Sequence, residues 1–238
     1  MIRFSGSARD ERDGWLFQDI ELSMVENGWT CLLGPSGVGK TTILRYLAGL
    51  DVHTDILGEY GLNNGSATPP LCAYMAQQDL LFPWLNVRDN VALGARLRGQ
   101  IPDLDRANEL IDAVGLSAHV HKKPGQLSGG MRQRVSLART LMEDRALVFL
   151  DEPFSALDAR RRAEMQELAH QLLQGRSVML VTHDPAEAAR LGDRNYILDE
   201  NGLHQGYSKS QGEILPPDNP ETLQLMSNLL SSLRKDPS

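Results

Sequence analysis

The sequence is poor in cysteine, and it lacks a long apolar run. Its only cysteines are Cys31 and Cys72, and both stand in apolar, strand-like contexts. We expect two buried free thiols in a reducing compartment rather than a disulfide. No apolar run approaches the ~18 residues that a transmembrane helix needs. These absences disfavour a disulfide-stabilised scaffold and a membrane-spanning chain.

An excess of basic residues is also missing. The formal net charge is -7, which disfavours nonspecific binding to nucleic acid. The N-terminal stretch MIRFSGSARDERDG carries charges where a signal peptide would need apolar residues. We therefore expect a cytosolic protein whose membrane role, if it has one, depends on a partner. The 238 residues allow one large α/β domain or two small ones.

Short apolar runs alternate with helical patterns along the chain. Residues 16–25 (LFQDIELSMV) alternate apolar and polar side chains, which predicts a half-buried strand. Buried strands are predicted at TCLLG, LCAYMA (71–76), ALVFLD (146–151) and SVMLVT (177–182). Helices are predicted at about 40–50 and around 165–172. This alternation favours a mostly parallel sheet that binds ligands at the carboxyl ends of its strands.

Two segments differ from this alternation. The segment from about 84 to 142 has helically spaced apolar residues and no strand candidate, so we predict a helical subdomain inserted in the α/β core. We assign residues 1–200 to a single domain and residues 201–238 to a C-terminal tail. Asn219 and Pro220 indicate a short helix in the tail. Its apolar stripe could pack on the same domain or serve as a docking element.

A phosphate-binding loop is the strongest motif. GPSGVGKT fits the pattern G-x-x-x-x-G-K-[ST] and lies between a predicted strand and a predicted helix. Lys40 would contact the β- and γ-phosphates, and the Thr41 hydroxyl would bind Mg²⁺. The residues assigned to the nucleotide here are Gly34, Pro35, Ser36, Gly37, Val38, Gly39, Lys40, Thr41 and Thr42.

A pair of acidic residues ends the predicted strand in LVFLDEP. Asp151 suits a Mg²⁺-binding role, and Glu152 could orient and deprotonate the attacking water. Taken alone, two solvated carboxylates at a strand end would be the simpler interpretation. Beside a phosphate-binding loop, the pair favours hydrolysis of a nucleoside triphosphate.

These motifs, together with LSGGMRQR at residues 127–134, resemble the ATP-binding-cassette ATPases over roughly residues 2–200. The resemblance implies an α/β fold of the P-loop NTPase class. Such a fold has a RecA-like, mostly parallel sheet core, an N-terminal antiparallel β region and an inserted helical subdomain. It also implies an ATPase that uses ATP and Mg²⁺.

The resemblance assigns a role to the second glycine-rich turn. Ser128, Gly129 and Gly130 of one copy would bind the γ-phosphate held by the phosphate loop of another copy. The chain would therefore form a homodimer in the ATP-bound state. A purely structural interpretation, with Ser128 capping a helix, is compatible with that role.

Three further residues match the family residue by residue. Gln77 matches the glutamine that reaches Mg²⁺ and the attacking water, and its spacing to Pro83 favours it over the adjacent Gln78. Asp158, in SALD, would lie near the dimer interface. His183, in VTHD, matches the histidine expected to contact the γ-phosphate; elsewhere a strand-end histidine would more often be structural.

The chain departs from the family at the adenine site. The family stacks adenine on an aromatic residue before the second N-terminal strand, but SARDERDG has no aromatic residue at that spacing. Trp15 is the nearest candidate, and a shifted loop would let it stack on the base.

The segment QQDLLFPWLNVRDNV, which begins with Gln77, resembles the corresponding segment of importers for nitrate, sulfonates, taurine and thiamine-precursor pyrimidines. Within these importers, MAQQDLL is most similar to the hydroxymethylpyrimidine group. The proline-glycine turn and basic stretch expected near the end are missing. Phe82 and Trp84 would begin a surface that receives a membrane subunit, or would pack in the core.

The implied partners are two transmembrane permease subunits and an extracytoplasmic solute-binding protein, with no nucleic acid. The protein would lie peripherally on the cytoplasmic side of the inner (plasma) membrane. The alternatives are a soluble ATPase of the same family acting on nucleic acid or the ribosome, an exporter subunit, and a module that binds ATP without hydrolysing it. The last is disfavoured because Lys40, Asp151, Glu152 and His183 are all present.

Overall fold

The computed structural model describes residues 2–10, 14–50, 52, 54–62 and 71–234. The chain divides into two compact units. The first comprises Met1–Cys72, Ala146–Glu152 and Gln174–Ser238, and the second comprises Ala73–Arg145 and Pro153–Leu173. The strand Cys72–Met75, β5, leads from the first unit into the second.

The first unit contains a small antiparallel sheet built from β1 (Ile2–Asp10), β2 (Gly14–Ser23) and β4 (Asp55–Leu62). The strand β1 lies in the middle and pairs antiparallel with both neighbours. Ile20 and Leu22 of β2 are buried, as the alternating pattern predicted. This sheet confirms the expected N-terminal antiparallel region.

A second sheet forms the core of the first unit. Its strands in this unit are β3 (Trp29–Leu33), β6 (Leu147–Asp151), β7 (Ser177–Thr182), β8 (Arg194–Asp199) and β9 (Gly202–Gln205), in the order β6-β7-β3-β8-β9. All neighbours are parallel except β8 and β9. Every residue of β3 and β6 is buried, which is why both appear as continuous apolar runs. The carboxyl ends of β6, β7 and β3 therefore lie side by side.

Among its described residues, the first unit has three helices: α1 (Lys40–Leu47), α7 (Pro185–Leu191) and α8 (Pro220–Leu233). Asn219 caps α8 by accepting a hydrogen bond from the Glu221 N–H at 2.8 Å. Helix α8 packs against α7 and buries Leu225 and Leu229. The helix predicted in the tail therefore packs within the first unit. Its buried leucines are not those of the predicted stripe, of which Leu223 is 49% exposed; the stripe comprised Leu223, Met226, Leu230 and Leu233.

The chain after β9 is attached to the first unit through buried polar groups. Lys209 Nζ lies 2.8 Å from Asp193 Oδ1, and the two side chains are 1% and 2% exposed. Asp193 also accepts hydrogen bonds from the N–H groups of Trp29 at 2.7 Å and Gly212 at 3.0 Å. One carboxylate thus joins three separate stretches of the chain.

The second unit is helical between residues 87 and 142. It contains α2 (Val87–Val91), α3 (Leu93–Leu97), α4 (Leu104–Ala113) and α5 (Gly129–Met142), and it also includes α6 (Ala159–Leu172). Its core is built from the helically spaced residues Val91, Ala107, Ile111, Val135 and Ala138. In the part of the chain that the structure describes, no helix has both the length and the apolarity of a membrane span.

Both cysteines are free thiols. Cys31 is fully buried in β3, and Cys72 is half-buried at the start of β5. Burial raises the pKa of the Cys31 thiol, and the nearby Asp193 adds to that effect. The prediction of two buried free thiols is therefore confirmed for Cys31, whereas Cys72 is free but only half-buried because it stands at the start of its strand.

Candidate nucleotide-hydrolysing site

The phosphate-binding loop joins β3 to α1, and three of its positions require glycine for steric or backbone reasons. A Cβ on Gly34 would lie 2.2 Å from the backbone oxygen of Leu198, so no larger residue fits there without moving β8. Gly37 and Gly39 have φ values of 87° and 101°, a region that favours glycine. The loop therefore presents backbone N–H groups at the start of α1, where anions bind.

Lys40 places its ammonium group against this loop. Its Nζ donates hydrogen bonds to the carbonyl oxygens of Gly34 at 2.8 Å and Pro35 at 2.7 Å, and the residue is only 4% exposed. Burial lowers the pKa of Lys40, whereas the charges of Glu152 and Asp151 act in the opposite direction. A bound phosphate would likewise stabilise the charged form.

Thr41 and Asp151 bring two oxygen ligands together. The Thr41 hydroxyl donates a hydrogen bond of 2.9 Å to Asp151 Oδ1, and Asp151 is 4% exposed at the carboxyl end of β6. Hydroxyl and carboxylate oxygens are the ligands that Mg²⁺ prefers, with phosphate oxygens and water completing its shell. This pair therefore fits the predicted metal.

Glu152 adopts an unusual backbone conformation next to His183. Its φ is 44°, a left-handed conformation that costs a non-glycine residue of order 1–3 kcal/mol. The Glu152 N–H donates to Val181 O at 2.9 Å, which fixes the bend where β6 ends. His183 Nδ1 lies 3.1 Å from Glu152 Oε2, and the Glu152 side chain is 13% exposed. The bend thus directs a shielded carboxylate towards the histidine.

The residue before His183 explains how the histidine is positioned. Thr182, the last residue of β7, donates from its hydroxyl to Glu187 Oε2 at 2.7 Å and accepts a hydrogen bond from the Asp184 N–H at 3.0 Å. These bonds fix the backbone on both sides of His183. The first unit therefore assembles Lys40 with the pairs Thr41–Asp151 and Glu152–His183, all from predicted positions.

Trp15 lies on β2, in the same unit as the phosphate loop. It is 46% exposed, and the Arg9 guanidinium lies 5.8 Å from its ring centroid, within the range of a cation–π interaction. Phe17, two residues along the strand, is the side chain that a Cβ on Gly39 would meet at 3.0 Å. Stacking of adenine on Trp15 stays a prediction. The Arg9 contact could not be foreseen because it depends on strand register.

The second glycine-rich turn starts α5 in the second unit. Ser128 Oγ accepts a hydrogen bond from the Met131 N–H at 3.3 Å, so Ser128 is the N-cap that its sequence position predicted. Gly129 and Gly130 are the first residues of the helix. Asp158 likewise caps α6, accepting from the Arg161 N–H at 3.0 Å.

A cleft of about 570 Å³ brings several predicted segments of the second unit together. Gln77 and Gln78 line it together with Gly129 and Ser155. The geometry does not distinguish Gln77 from Gln78, because both glutamines line the cleft. The cleft places the Gln77 segment beside the turn that carries Ser128.

The sequence analysis missed two arginines near this cleft, Arg132 and Arg139 of α5. Both bind the segment that follows Gln78. Their spacing of seven residues, two helical turns, is a signal that they share one helix face.

Comparisons with known proteins agree with this geometry. The family model described as ABC transporter matches residues 17–155. An uncharacterized ABC transporter ATP-binding protein from Haemophilus influenzae is 45% identical over 207 residues, which cover 86% of this chain and 83% of its own. An aliphatic sulfonates import ATP-binding protein from Rhodococcus jostii is 44% identical over 194 residues, which cover 81% of this chain and 76% of its own.

A solved structure is similar along most of the chain. It is a dimeric ATP-binding cassette in a post-hydrolysis state, bound to ADP and Pi. The TM-score is 0.75 at 27% sequence identity, and the match covers 88% of this chain and 100% of the other.

Proposed function

This chain belongs to the ABC transporter family as an ATP-binding protein, and on that premise we propose that it powers the import of a small organic anion. The family and the α/β P-loop fold are those expected from the motifs, and both predictions are confirmed. The protein is an ATPase, which converts ATP and water to ADP and phosphate. The identity of the solute and the roles of single residues belong to the proposal.

The observation that carries the proposal is the assembly of five side chains in the first unit. Lys40 stabilises negative charge on the phosphates, and Glu152 accepts a proton from the attacking water. His183, 3.1 Å from Glu152, holds that carboxylate and contacts the γ-phosphate. Thr41 and Asp151 would hold Mg²⁺, which when bound would neutralise phosphate charge.

The second unit contributes to the nucleotide of another copy. Ser128, Gly129 and Gly130 bind the γ-phosphate of the partner's ATP through the start of α5. Gln77 keeps the role that the family resemblance implies, contact with the attacking water and Mg²⁺, as a prediction. The dimeric state of the similar cassette bound to ADP and Pi supports this arrangement.

A permease is the proposed recipient of the work. Trp84 is 65% exposed and stacks on Phe82 with ring centroids 5.1 Å apart, so Trp84 does not pack in a core. An exposed tryptophan stacked on a half-buried phenylalanine suits an interface with a membrane subunit. Two permease subunits and an extracytoplasmic solute-binding protein would complete the system, with this chain peripheral on the cytoplasmic side. The relative named for aliphatic sulfonates supports a sulfonate as the solute.

The variant Glu152→Gln tests the hydrolytic assignment. We expect kcat to fall about 10²–10⁴-fold, while ATP still binds and holds two copies together. Steady-state ATPase assays and light scattering at saturating ATP measure the two effects. Glu21→Gln, at an exposed position of β2 in the same unit, is the matched control and should keep full activity. Full activity of Glu152→Gln would reject Glu152 as the base, and a monomeric variant would argue against the ATP-bound dimer.

Copurification tests the biological role. The tagged chain is isolated from gently solubilised membranes of its native cell, and its partners are identified by mass spectrometry. A multi-span permease together with a solute-binding protein is the expected result. Ribosomal or DNA-associated partners without a permease would contradict import and leave the ATPase chemistry intact.

A further inference from the structure

Residues 79–82 of the second unit, here called the Asp79 bend, form a well-defined turn after Gln78. Asp79 Oδ1 accepts a hydrogen bond from the Leu81 N–H at 3.2 Å, and Leu80 has a φ of 46°. At the far end, the Phe82 N–H donates to the buried Asn90 Oδ1 at 2.8 Å. The bend is therefore held by its own side chains and by α2, and it can transmit a displacement.

Two arginines of α5 attach this bend to the helix. Arg132 Nε donates to Asp79 Oδ2 at 2.8 Å. Arg139 donates from Nη1 to Leu80 O at 2.8 Å and from Nη2 to Asp79 O at 2.7 Å. Both the side chain and the backbone of the bend are thus bound to a single helix face.

Arg132 makes a second contact with the chain just before the glycine-rich turn. Its Nη1 donates to Leu127 O at 3.0 Å, and Leu127 directly precedes Ser128. One rigid guanidinium therefore joins Asp79, two residues after Gln77, to the residue before the glycine-rich turn. A lysine in this place could not donate in both directions in a fixed geometry.

The ion pair itself is partly exposed, with 37% of the Arg132 side chain and 29% of the Asp79 side chain accessible. Partly exposed pairs contribute little to the free energy of unfolding. Its geometric role can therefore be separated from any role in stability. The bend and the turn that it joins line the same 570 Å³ cleft.

We propose that Arg132 is a positioning residue that sets the placement of Gln77 relative to Ser128, with Asp79 as its partner and Arg139 holding the backbone. When the glycine-rich turn engages a second copy, Arg132 transmits that engagement to the Gln77 segment. The inference rests on the proposed function, because it assumes that Gln77 and Ser128 act in ATP hydrolysis.

The test compares kcat and KM for ATP in the full-length wild type and in Arg132→Gln, Arg132→Lys, Asp79→Asn and the double variant Arg132→Gln/Asp79→Asn. We expect kcat to fall roughly tenfold to a hundredfold in each single variant, because small misplacements of reacting groups have effects of that size. KM should not change, because Lys40 and Thr41 are untouched. The double variant should be no slower than Arg132→Gln, because both changes break one connection.

Arg98→Gln is the matched control. Arg98 pairs with Glu143 at 2.7 Å in the same unit, and the two side chains have similar exposure, 44% and 22%. This variant should keep the wild-type kcat. Melting temperatures of all variants show whether lost activity reflects lost folding.

Three results would overturn the proposal. The first is a wild-type kcat in Arg132→Gln or Asp79→Asn, and the second is a wild-type kcat in Arg132→Lys. The third is a lower kcat accompanied in the same variant by a higher KM for ATP or a lower melting temperature. The wild type serves as the separate control for the proposed function. If it did not hydrolyse ATP, the proposed function would fail first and this inference with it.

Discussion

At the residue scale, the positions that matter most are those where backbone geometry and chemistry coincide. Gly34 is confined by a carbonyl oxygen of β8, so this position accepts no side chain. Glu152 has a φ of 44° at the position where the sequence predicts a catalytic carboxylate. Strain of this kind persists only where surrounding contacts enforce it, and here the hydrogen bond to Val181 O does so.

Cys31 leads to a prediction on pH dependence. Burial raises the pKa of its thiol in the folded state, whereas an unfolded thiol titrates near pH 8.5, so above about that pH only the unfolded state loses the proton. The free energy of unfolding of the wild type minus that of Cys31→Ala should be constant below that pH. Above it, the difference should fall by up to about 1.4 kcal/mol per pH unit, until the folded thiol also titrates.

Urea unfolding of both proteins between neutral pH and pH 10 measures this difference. The comparison with Cys31→Ala cancels the opposite contribution of Lys40, whose pKa is lowered in the folded state. Parallel curves for the two proteins would show that the Cys31 thiol titrates normally in the folded protein.

The sequence motifs identified the candidate site residues but not the tertiary contacts around them. Lys40, Thr41, Asp151 and Glu152 could be identified because phosphate chemistry demands those residue types at that spacing. The contact of Gly34 with Leu198 O could not be predicted, since it depends on two strands that pair over a long sequence separation. The catalytic and binding roles of these four candidate site residues, like those of His183, Trp15, Gln77 and the Ser128 turn, remain predictions.

At the element scale, α5 combines a structural and a proposed functional role at its first turn. Ser128 caps the helix, and the same hydroxyl faces the phosphate of a second copy in the proposed dimer. The variant Ser128→Arg should abolish hydrolysis and leave ATP binding by the phosphate loop intact. Losing the cap should also lower the free energy of unfolding by about 1 kcal/mol.

A second capped helix of the same unit provides the control for that variant. Asp103 caps α4 by accepting from the Arg106 N–H at 2.9 Å, so Asp103→Arg removes a comparable cap. Denaturant unfolding should show similar losses for both variants, while ATPase assays should show a loss only for Ser128→Arg. Equal losses of activity, or a loss of ATP binding in Ser128→Arg, would assign Ser128 to the fold alone.

Elements were predictable where their patterns were long. The helices α4 and α5 and the buried strands β3, β6 and β7 stand out in the sequence because their apolar spacing is regular. The helices α2 and α3 were missed because each has five residues, too few to show a helical period. The strand β1 was missed because glycine, serine and charged residues interrupt its apolar pattern.

At the scale of the whole molecule, the first unit is assembled from three separate stretches of chain. The buried Lys209–Asp193 pair lies within the last of them, and Asp193 also accepts a hydrogen bond from the Trp29 N–H in the first. Replacing Lys209 by Met should lower the free energy of unfolding by about 3–5 kcal/mol, because the buried Asp193 carboxylate loses its cationic partner. Activity per folded molecule should not change.

Arg96→Met is the control for Lys209→Met. The distance from Arg96 Nη2 to Asp89 Oδ1 is 2.7 Å, similar to that of the Lys209 pair, but the two side chains are 39% and 23% exposed. Loss of the Arg96 pair should cost about 0–1 kcal/mol. Urea denaturation of both variants decides the matter, and equal destabilisation would mean that burial does not govern the strength of the Lys209 pair.

The place of Lys209 in the chain has a consequence for biosynthesis. During synthesis, Asp193 leaves the ribosome before Lys209, which follows it by 16 residues. The parallel sheet cannot form completely until all three stretches of the first unit have been synthesised. The second unit can fold while the first is still waiting for its final strands. A nascent chain interrupted before residue 209 would therefore contain all residues of the second unit, whereas Asp193 of the first unit would lack Lys209 as its partner. Such a fragment should therefore be cleaved by added protease faster than the intact chain, because it lacks the buried ion pair.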